Sequence, residues 1–160
     1  MPEIEYMETD GRALDLVGPL WYRLKEHHGE RSLHFREQFD GMTFEKRKRQ
    51  LLDKSKEGGL HIAIATDTAT GETVGYCVST IRGDGQGEVE SLSIEDDYCR
   101  QGIGDALMKK ALRWMDTMLV TKKVVAVAVG NEDVFGFYRR YGFHPRAIIL
   151  EQTGNSSASE

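Results

Sequence analysis

The stretch Cys99-Arg100-Gln101-Gly102-Ile103-Gly104 decides the fold, because it joins a strand-like run to a helix-like run. Residues 88–94 alternate as a strand does, and residues 103–118 carry a single apolar stripe. Glycines at such a junction allow a tight turn and a close approach of the backbone to a ligand. The first amide groups of the helix point into the same space, where the helix dipole favours an anion. Together with the charge of Arg100, they predict a ligand that carries a pyrophosphate.

Two glycines before a helix are also typical of an ordinary turn, so that alternative stays open for this stretch taken alone. Two well-known phosphate loops are excluded. The stretch lacks the Gly-Lys-Ser/Thr ending of a nucleoside-triphosphate loop. It also lacks the third glycine of the dinucleotide fingerprint, because Leu107 stands at that position.

The composition is typical of one globular domain. The chain has 160 residues, of which 39% are hydrophobic and 29% charged, and this is enough for a sizeable core. A formal net charge of −5 argues against nucleic acid as a partner. Cys77 and Cys99 have no metal-ligand spacing, so we expect no metal and a reducing compartment. No secretory signal or membrane-length apolar run is present, which predicts a cytoplasmic protein without a membrane partner.

The periodicities predict an α/β fold in the order β-α-α-β-β-β-α-β-α-β. The strands are predicted at residues 4–7, 61–65, 73–81, 88–94, 124–129 and 143–150, and the helices at residues 11–28, 43–56, 103–118 and 132–141. Pro19 is expected to kink or split the first helix. We expect residues 1–152 to form a single domain and the polar residues 153–160 to form a disordered tail.

This order, with a glycine loop after the fourth strand, resembles the GCN5-related N-acetyltransferase superfamily. The family loop reads Arg/Gln-x-x-Gly-x-Gly/Ala, and Cys99–Gly104 fits it except that cysteine replaces the first residue. Residues 131–143 read Asn-Glu-Asp-Val-Phe-Gly-Phe-Tyr-Arg-Arg-Tyr-Gly-Phe and resemble a second family motif, with Val134 where alanine is usual. The resemblance implies a mixed, mostly antiparallel sheet of six to seven strands with flanking helices.

The resemblance also implies acetyl-CoA as co-substrate. It assigns the pyrophosphate to the loop, and the pantetheine arm to the backbone of the fourth strand, where the arm would lie like an added strand. Asn131 would bond a pantetheine amide, although it could equally cap the following helix. The implied cofactor residues are Leu92, Ser93, Ile94, Cys99, Arg100, Gln101, Gly102, Ile103, Gly104 and Asn131.

Acetyl transfer to an amine needs a base, since an alkylammonium has a pKa of about 10. Glu88 and Glu90 lie two apart on a strand and therefore face the same side. The resemblance favours Glu90 as the base and Glu88 as the alternative, while both could also be solvated strand carboxylates. Tyr138 occupies the family's general-acid position, with Tyr141 as the fallback and ring packing as the alternative role.

The acceptor is expected to be a small-molecule amine, polyamine-like or aminoglycoside-like, or else an amine of a peptide or protein. A non-catalytic acyl-CoA-binding module is the third hypothesis. The first two helices would shape the pocket, with Trp21, Tyr22, His28 and Phe35 as candidate aromatic walls for a cation. A helical core stripe with solvated histidines is the alternative for these residues. The family is often dimeric, so we expect a homodimer.

Overall fold

The computed structural model describes residues 2–31 and 41–154, and the side chains of residues 27–31 are not described. The strands are β1 (Ile4–Thr9), β2 (Gly59–Asp67), β3 (Thr73–Ile81), β4 (Gly87–Ile94) and β5 (Lys123–Val125). The α-helices are α1 (Gly18–Arg31), α2 (Phe44–Lys54), α3 (Ile103–Thr117) and α4 (Phe135–Arg139). Short 3₁₀ turns cover Gly11–Val17, Asp96–Tyr98 and Glu132–Val134. The structure therefore confirms a mixed α/β fold, with five strands among the described residues.

The sheet has the strand order β1-β2-β3-β4-β5. The first three pairings are antiparallel, and β5 pairs with β4 in parallel. The hairpins that were predicted from turn residues are confirmed, as is the crossover through α3 that a parallel pair requires. A register shift between Val78 and Ser79 of β3 marks an irregularity opposite β4.

The core lies on both faces of β2 and β3. One layer is formed by the first 3₁₀ turn, α1 and α2, and contains Leu14, Val17, Leu20, Trp21, Phe44 and Leu51. The opposite layer is formed by α3, which buries Ile103, Leu107, Met108, Ala111 and Met115. The stripe predicted for the third helix is thus the core face of α3.

The chain divides into two compact units, and β5 and all of the residues just named belong to the first. Unit 1 contains Met1–Leu24 and Met42–Ala126, and unit 2 contains Lys25–Gly41 and Val127–Glu160. In unit 2, the rings of Phe137, Tyr138, Tyr141 and Phe143 stack edge to face around α4. Gly142, with φ of 87°, ends this helix, and the amide of Phe143 donates to the carbonyl of Tyr138.

The split expected in the first helix is confirmed, and two predicted strands differ from the structure. The first predicted helix is split, because a 3₁₀ turn precedes α1 and Pro19 stands in the first turn of α1, where it needs no amide partner. The fifth strand covers three half-buried residues rather than 124–129. The strand predicted at 143–150 was wrong, since among the described residues nothing pairs with this segment and Ile148, Ile149 and Leu150 are exposed.

Candidate active site

The β4 strand continues beyond its parallel partner. The ladder between β4 and β5 ends at the pair Val89–Val125, while β4 runs on to Ile94. The half-buried residues Leu92, Ser93 and Ile94 therefore lie past the last paired residue of β5. A strand edge without a neighbour is a template for an extended ligand, which would hydrogen-bond to its main chain.

A β-bulge at Glu90 changes the alternation of β4. Val78 pairs with Ser91 and Ser79 pairs with Val89, which leaves Glu90 as the extra residue. Glu90 bonds to Thr80, and its neighbour Ser91 bonds to Tyr76. Thr80 and Tyr76 lie four apart on β3 and share one face, so both consecutive side chains point to that face. The simple two-residue period of the sequence could not predict this geometry.

Three side chains, those of Arg47, Lys54 and Thr80, contact the two acidic residues of β4. Glu90 Oε1 accepts a hydrogen bond from Arg47 Nη2 at 2.9 Å, and Glu90 Oε2 accepts one from Thr80 Oγ1 at 2.6 Å. Lys54 Nζ lies 2.6 Å from both Glu90 Oε2 and Glu88 Oε1. The side chain of Glu90 is only 2% exposed, against 17% for Glu88. Both predicted carboxylates thus lie on the same side of the sheet.

The cluster holds its charges in the ionised state. Burial raises the pKa of Glu90, but hydrogen bonds from Lys54 and Thr80 outweigh it and leave that pKa below its usual value. Burial lowers the pKa of Lys54, but the bonds to Glu88 and Glu90 outweigh it and leave that pKa above its usual value. Glu90 is therefore a carboxylate, and Lys54 an ammonium group, at neutral pH.

Sequence reasoning missed the cations of this cluster. Arg47 lies in the run Glu45-Lys46-Arg47-Lys48-Arg49, a charge pattern that is typical of a solvated helix face. Arg47 and Lys54 recur with the buried Phe44 and Leu51 at spacings of three and four, and therefore lie on the inner stripe of α2. This spacing could have indicated that Arg47 and Lys54 face the sheet. The periodicity is hard to recognise because the inner stripe contains charged as well as apolar side chains.

The glycine loop has a strained backbone and an exposed surface. Gly102, with φ of 81°, stands at the N-terminus of α3, and Arg100 has φ of 65°, a value unusual for a residue other than glycine. The loop residues Cys99, Arg100, Gln101 and Gly102 are exposed, Gly104 is half-buried and Ile103 is buried. The first helical bond runs from the amide of Ala106 to the carbonyl of Gly102. The amides of the first helical turn point out of the helix end, as an anion site requires.

The candidate acceptor residues have structural contacts where the structure describes them. Trp21 is buried and packs edge to face on Tyr22 and Phe44, so it belongs to the core. The hydroxyl of Tyr22 accepts the amide of Phe44 at 3.0 Å and so holds the start of α2. The side chain of His28 and the whole of Phe35 lie outside the described residues.

Two further candidates belong to unit 2. Asn131 precedes the 3₁₀ turn at Glu132–Val134, and its side chain makes no capping bond there. Its carbonyl accepts the amide of Val134 at 3.2 Å. The ring of Tyr138 packs against Phe137 and Phe143, with centroids 5.2 and 6.1 Å apart. These contacts fix the orientation of the ring.

Neither thiol has the environment of a nucleophile. Burial raises the pKa of Cys77 to about 12. Burial and the nearby Asp96 also raise the pKa of Cys99, which is exposed in the glycine loop. Among residues 2–26 and 41–154, whose side chains the structure describes, no group of three or more His, Cys, Asp or Glu residues is arranged to hold a metal ion. No helix in residues 2–31 and 41–154 is long and apolar enough to cross a membrane.

Comparison with known proteins identifies the family. The Acetyltransferase (GNAT) family matches residues 21–143, which is most of the chain. The chain belongs to the GNAT family of acetyltransferases. It is therefore an N-acetyltransferase, as the resemblance of its two motifs implied. No curated protein sequence matches it significantly.

Solved structures of GNAT enzymes share the fold. A GCN5-related N-acetyltransferase from Ralstonia eutropha JMP134 has a TM-score of 0.73 at 17% identity, with 93% of this chain and 97% of that chain covered. The aminoglycoside N-acetyltransferase AAC(6')-Iy, solved in complex with CoA, has a TM-score of 0.67 at 14% identity, with 96% and 97% covered. A ribosomal-protein-alanine N-acetyltransferase from Brucella melitensis biovar Abortus 2308 has a TM-score of 0.62 at 15% identity, with 93% and 99% covered.

Proposed function

We propose that this GNAT protein transfers the acetyl group of acetyl-CoA to a primary amine of a small cationic molecule, polyamine-like or aminoglycoside-like. One observation carries the proposal. After Val89, no strand of the described chain pairs in parallel with β4, and this stretch begins with the bulged Glu90 and leads to the glycine loop. Acidic groups, an open strand edge and an anion site thus follow one another along the chain.

In this proposal acetyl-CoA binds along β4 and the glycine loop. The pantetheine arm lies against Leu92, Ser93 and Ile94 as an added strand, and the pyrophosphate meets the amides of residues 100–104. Asn131 bonds a pantetheine amide. The side chain at position 99 matters little for this contact, because the loop offers main-chain donors.

The carboxylates of β4 receive the acceptor amine. Glu90 is the first candidate for the general base and Glu88 the second. The pKa of Glu90 is lower than usual, which makes it a weak acceptor for a proton taken directly from an ammonium group. We therefore favour proton removal through a water molecule that Glu90 holds in place. The amine then attacks the thioester carbonyl, and the C–S bond breaks to release CoA.

The departing thiolate takes a proton from Tyr138, with Tyr141 as the fallback. A phenol suits this step because it is neutral at physiological pH and its usual pKa is about 10. The edge-to-face contacts of the Tyr138 ring support a fixed orientation for the hydroxyl. Much of the rate would come from holding the amine and the thioester in attack geometry.

The names of the related structures support two classes of acceptor. AAC(6')-Iy is an aminoglycoside acetyltransferase, and the Brucella enzyme acts on a ribosomal protein's alanine. A peptide or protein amine is therefore our second candidate. The small-molecule amine stays our first candidate, because two of the related structures are aminoglycoside acetyltransferases.

The test is release of free thiol from acetyl-CoA with a panel of amines: spermidine, spermine, diamines, aminoglycosides, amino acids and short peptides. We expect turnover on one small-molecule class, with kcat lowered at least about tenfold in Glu90→Gln and in Tyr138→Phe. Glu5→Gln and Tyr6→Phe on β1 serve as matched controls. Turnover restricted to peptides would replace the first candidate with the second.

The same assay separates the catalytic roles. Full activity in Glu90→Gln together with loss in Glu88→Gln would move the base to Glu88. Full activity in Tyr138→Phe would contradict its role as general acid and direct attention to Tyr141. We also propose a cytoplasmic homodimer, which light scattering of the purified protein tests directly.

A further inference from the structure

In the part of the chain that the structure describes, a long-range side-chain hydrogen bond fixes the residue that leads into the glycine loop. The hydroxyl of Tyr98, the residue just before the loop, donates to Asp67 Oδ2 at 2.6 Å. Asp67 lies 31 positions earlier in the chain, at the end of β2. The other side-chain bonds of the loop are short-range, from Cys99 Sγ to the carbonyl of Glu95 and from Gln101 Nε2 to the carbonyl of Asp97.

Asp67 is a rigid anchor. It is only 4% exposed, and its other carboxylate oxygen accepts the amide of Ala69 at 2.9 Å. Its carbonyl accepts the amide of Gly71 at 2.8 Å, and its own amide donates to the carbonyl of Glu72 at 3.0 Å. The hydrogen bond from Tyr98 is the first cause of the lowered pKa of Asp67, so the acceptor remains ionised at neutral pH. Hydrogen bonds to a charged acceptor are the stronger kind.

The far end of the loop is anchored in the core. Ile103 is buried, and its side chain would lie 3.3 Å from a methyl group placed on Gly75 of β3. Between the two anchors, Arg100 and Gly102 both hold positive φ angles. A backbone in this state persists only when its surroundings fix it. Residues 99–102 are exposed, so the surroundings that can fix them are at the two ends.

We propose that Tyr98, acting through Asp67, is the residue that positions the glycine loop for the pyrophosphate of CoA. The inference rests on the proposed function, in which the amides of residues 100–104 bind that group. Tyr98 itself touches no reacting atom, and its effect belongs to cofactor binding. Loss of the hydroxyl frees the first end of the loop, and the amides then lose part of their shared orientation.

The test compares two probes by calorimetry. CoA carries the pyrophosphate, whereas pantetheine lacks it. We expect Tyr98→Phe to bind CoA roughly tenfold more weakly, the usual effect of losing a hydrogen bond to a charged group. Its affinity for pantetheine and its kcat should stay unchanged, so that only the KM for acetyl-CoA rises. Tyr6→Phe, which removes a hydroxyl from β1, is the matched control.

A double-variant cycle identifies the partner. If Tyr98 acts through Asp67, Tyr98→Phe should add little to the loss already caused by Asp67→Asn. Additive losses would overturn the pairing. Wild-type affinity for CoA in Tyr98→Phe, or equal losses for CoA and pantetheine, would overturn the positioning role.

A readout without ligand separates this inference from the proposed function. Amide hydrogen exchange in residues 99–104 should be faster in Tyr98→Phe than in the wild type, while exchange in β2 stays the same. If the wild-type protein bound neither probe, the proposed cofactor site would fail. Hydrogen exchange would then still decide whether Tyr98 orders the loop, and unchanged exchange would overturn the role.

Discussion

Arg100 combines a positive charge in the glycine loop with a backbone conformation that lowers the stability of the fold. Its φ of 65° is a conformation that glycine adopts freely and that costs other residues about 1 kcal/mol. We expect Arg100→Gly to raise the free energy of unfolding by about 0.5 kcal/mol, since glycine also gains freedom in the unfolded chain. CoA binding should weaken because a cation is lost. Chemical denaturation and calorimetry measure the two effects.

Arg100→Ala is the matched control, because it removes the charge and keeps the unfavourable backbone. It should weaken CoA binding as Arg100→Gly does, without the gain in stability. Equal stability of the two variants would show that the positive φ carries no cost in this loop.

Glu90 makes the protein sensitive to acid. Its pKa in the folded chain is below the usual 4.5, so the unfolded chain binds the proton first as the pH falls. The stability from this carboxylate is complete above about 4.5 and is lost as the pH falls through the lowered pKa. We expect Glu90→Gln to reduce the free energy of unfolding at neutral pH by about 2 kcal/mol, between the values for exposed and buried pairs.

Denaturation with urea at several pH values checks this prediction. The Glu90→Gln variant should lose less stability than the wild type between pH 5 and pH 3. Glu88→Gln is the comparison. Glu88 is more exposed than Glu90 and, of the two α2 cations that pair with Glu90, it contacts Lys54. An acid response in Glu90→Gln as large as that of the wild type would place the sensitive carboxylate elsewhere.

At the scale of elements, the connection from α2 to β2 depends on one glycine. A methyl group on Gly58 would lie 2.0 Å from the carbonyl oxygen of Ile81 on β3. Neither backbone can yield without breaking the hairpin, so Gly58→Ala should cost about 3 kcal/mol. Gly136→Ala in α4 is the control, because its methyl group meets nothing within 4 Å and alanine favours a helix. Thermal unfolding distinguishes them, and equal midpoints would contradict the packing argument.

The elements that sequence predicts well are those whose signals are local. The stripe of α3, the cap of α2 by Thr43 and the turn after β2 all follow from residues within one or two turns. The β-bulge at Glu90 depends on how β3 pairs with β4, which no local pattern contains. The segment 143–150 has the composition of a strand, but a strand also needs a partner in a ladder.

In the candidate site, too, the features encoded by local motifs are predictable and the contacts between distant segments are not. The glycine loop and the two glutamates of β4 were predicted from sequence, because each depends on a motif. The cations Arg47 and Lys54 lie on α2, and the hydroxyl of Thr80 lies on β3. Contacts between distant segments decide the electrostatics, so the lowered pKa of Glu90 could not be predicted from the motif.

At the scale of the whole molecule, a fall in pH lowers the stability of the contacts on both faces of the sheet. His61 is buried on β2, where its ring stacks on Trp114 of α3 and its Nε2 lies 2.9 Å from Glu8 Oε1. Burial keeps its pKa below the usual 6.5 despite Glu8. The stability gained by a neutral His61 is complete above about 6.5 and is lost as the pH falls through the lowered pKa.

We expect the two acid responses to add. His61 packs against α3 and Glu90 against α2, and they share no partner in the contacts described. His61→Phe keeps a ring on Trp114 and should flatten the pH dependence between pH 7 and pH 5. The double variant with Glu90→Gln should show the sum of the single changes within about 0.5 kcal/mol. A larger departure would reveal coupling through the sheet.

The bulge in β4 makes the length of this strand matter as much as its side chains. Removal of Glu90 would restore simple alternation and leave residues 91–94 on their present faces, because Val89 and Ser91 already oppose the consecutive residues Ser79 and Val78. Insertion of one residue after the bulge would instead exchange the faces of the residues that follow it, and Ile94, which now lies beside Ile103 and Leu107, would turn away from α3. Gain of a single codon between the bulge and the glycine loop should therefore disturb the packing of β4 on α3 more than loss of one codon at the bulge.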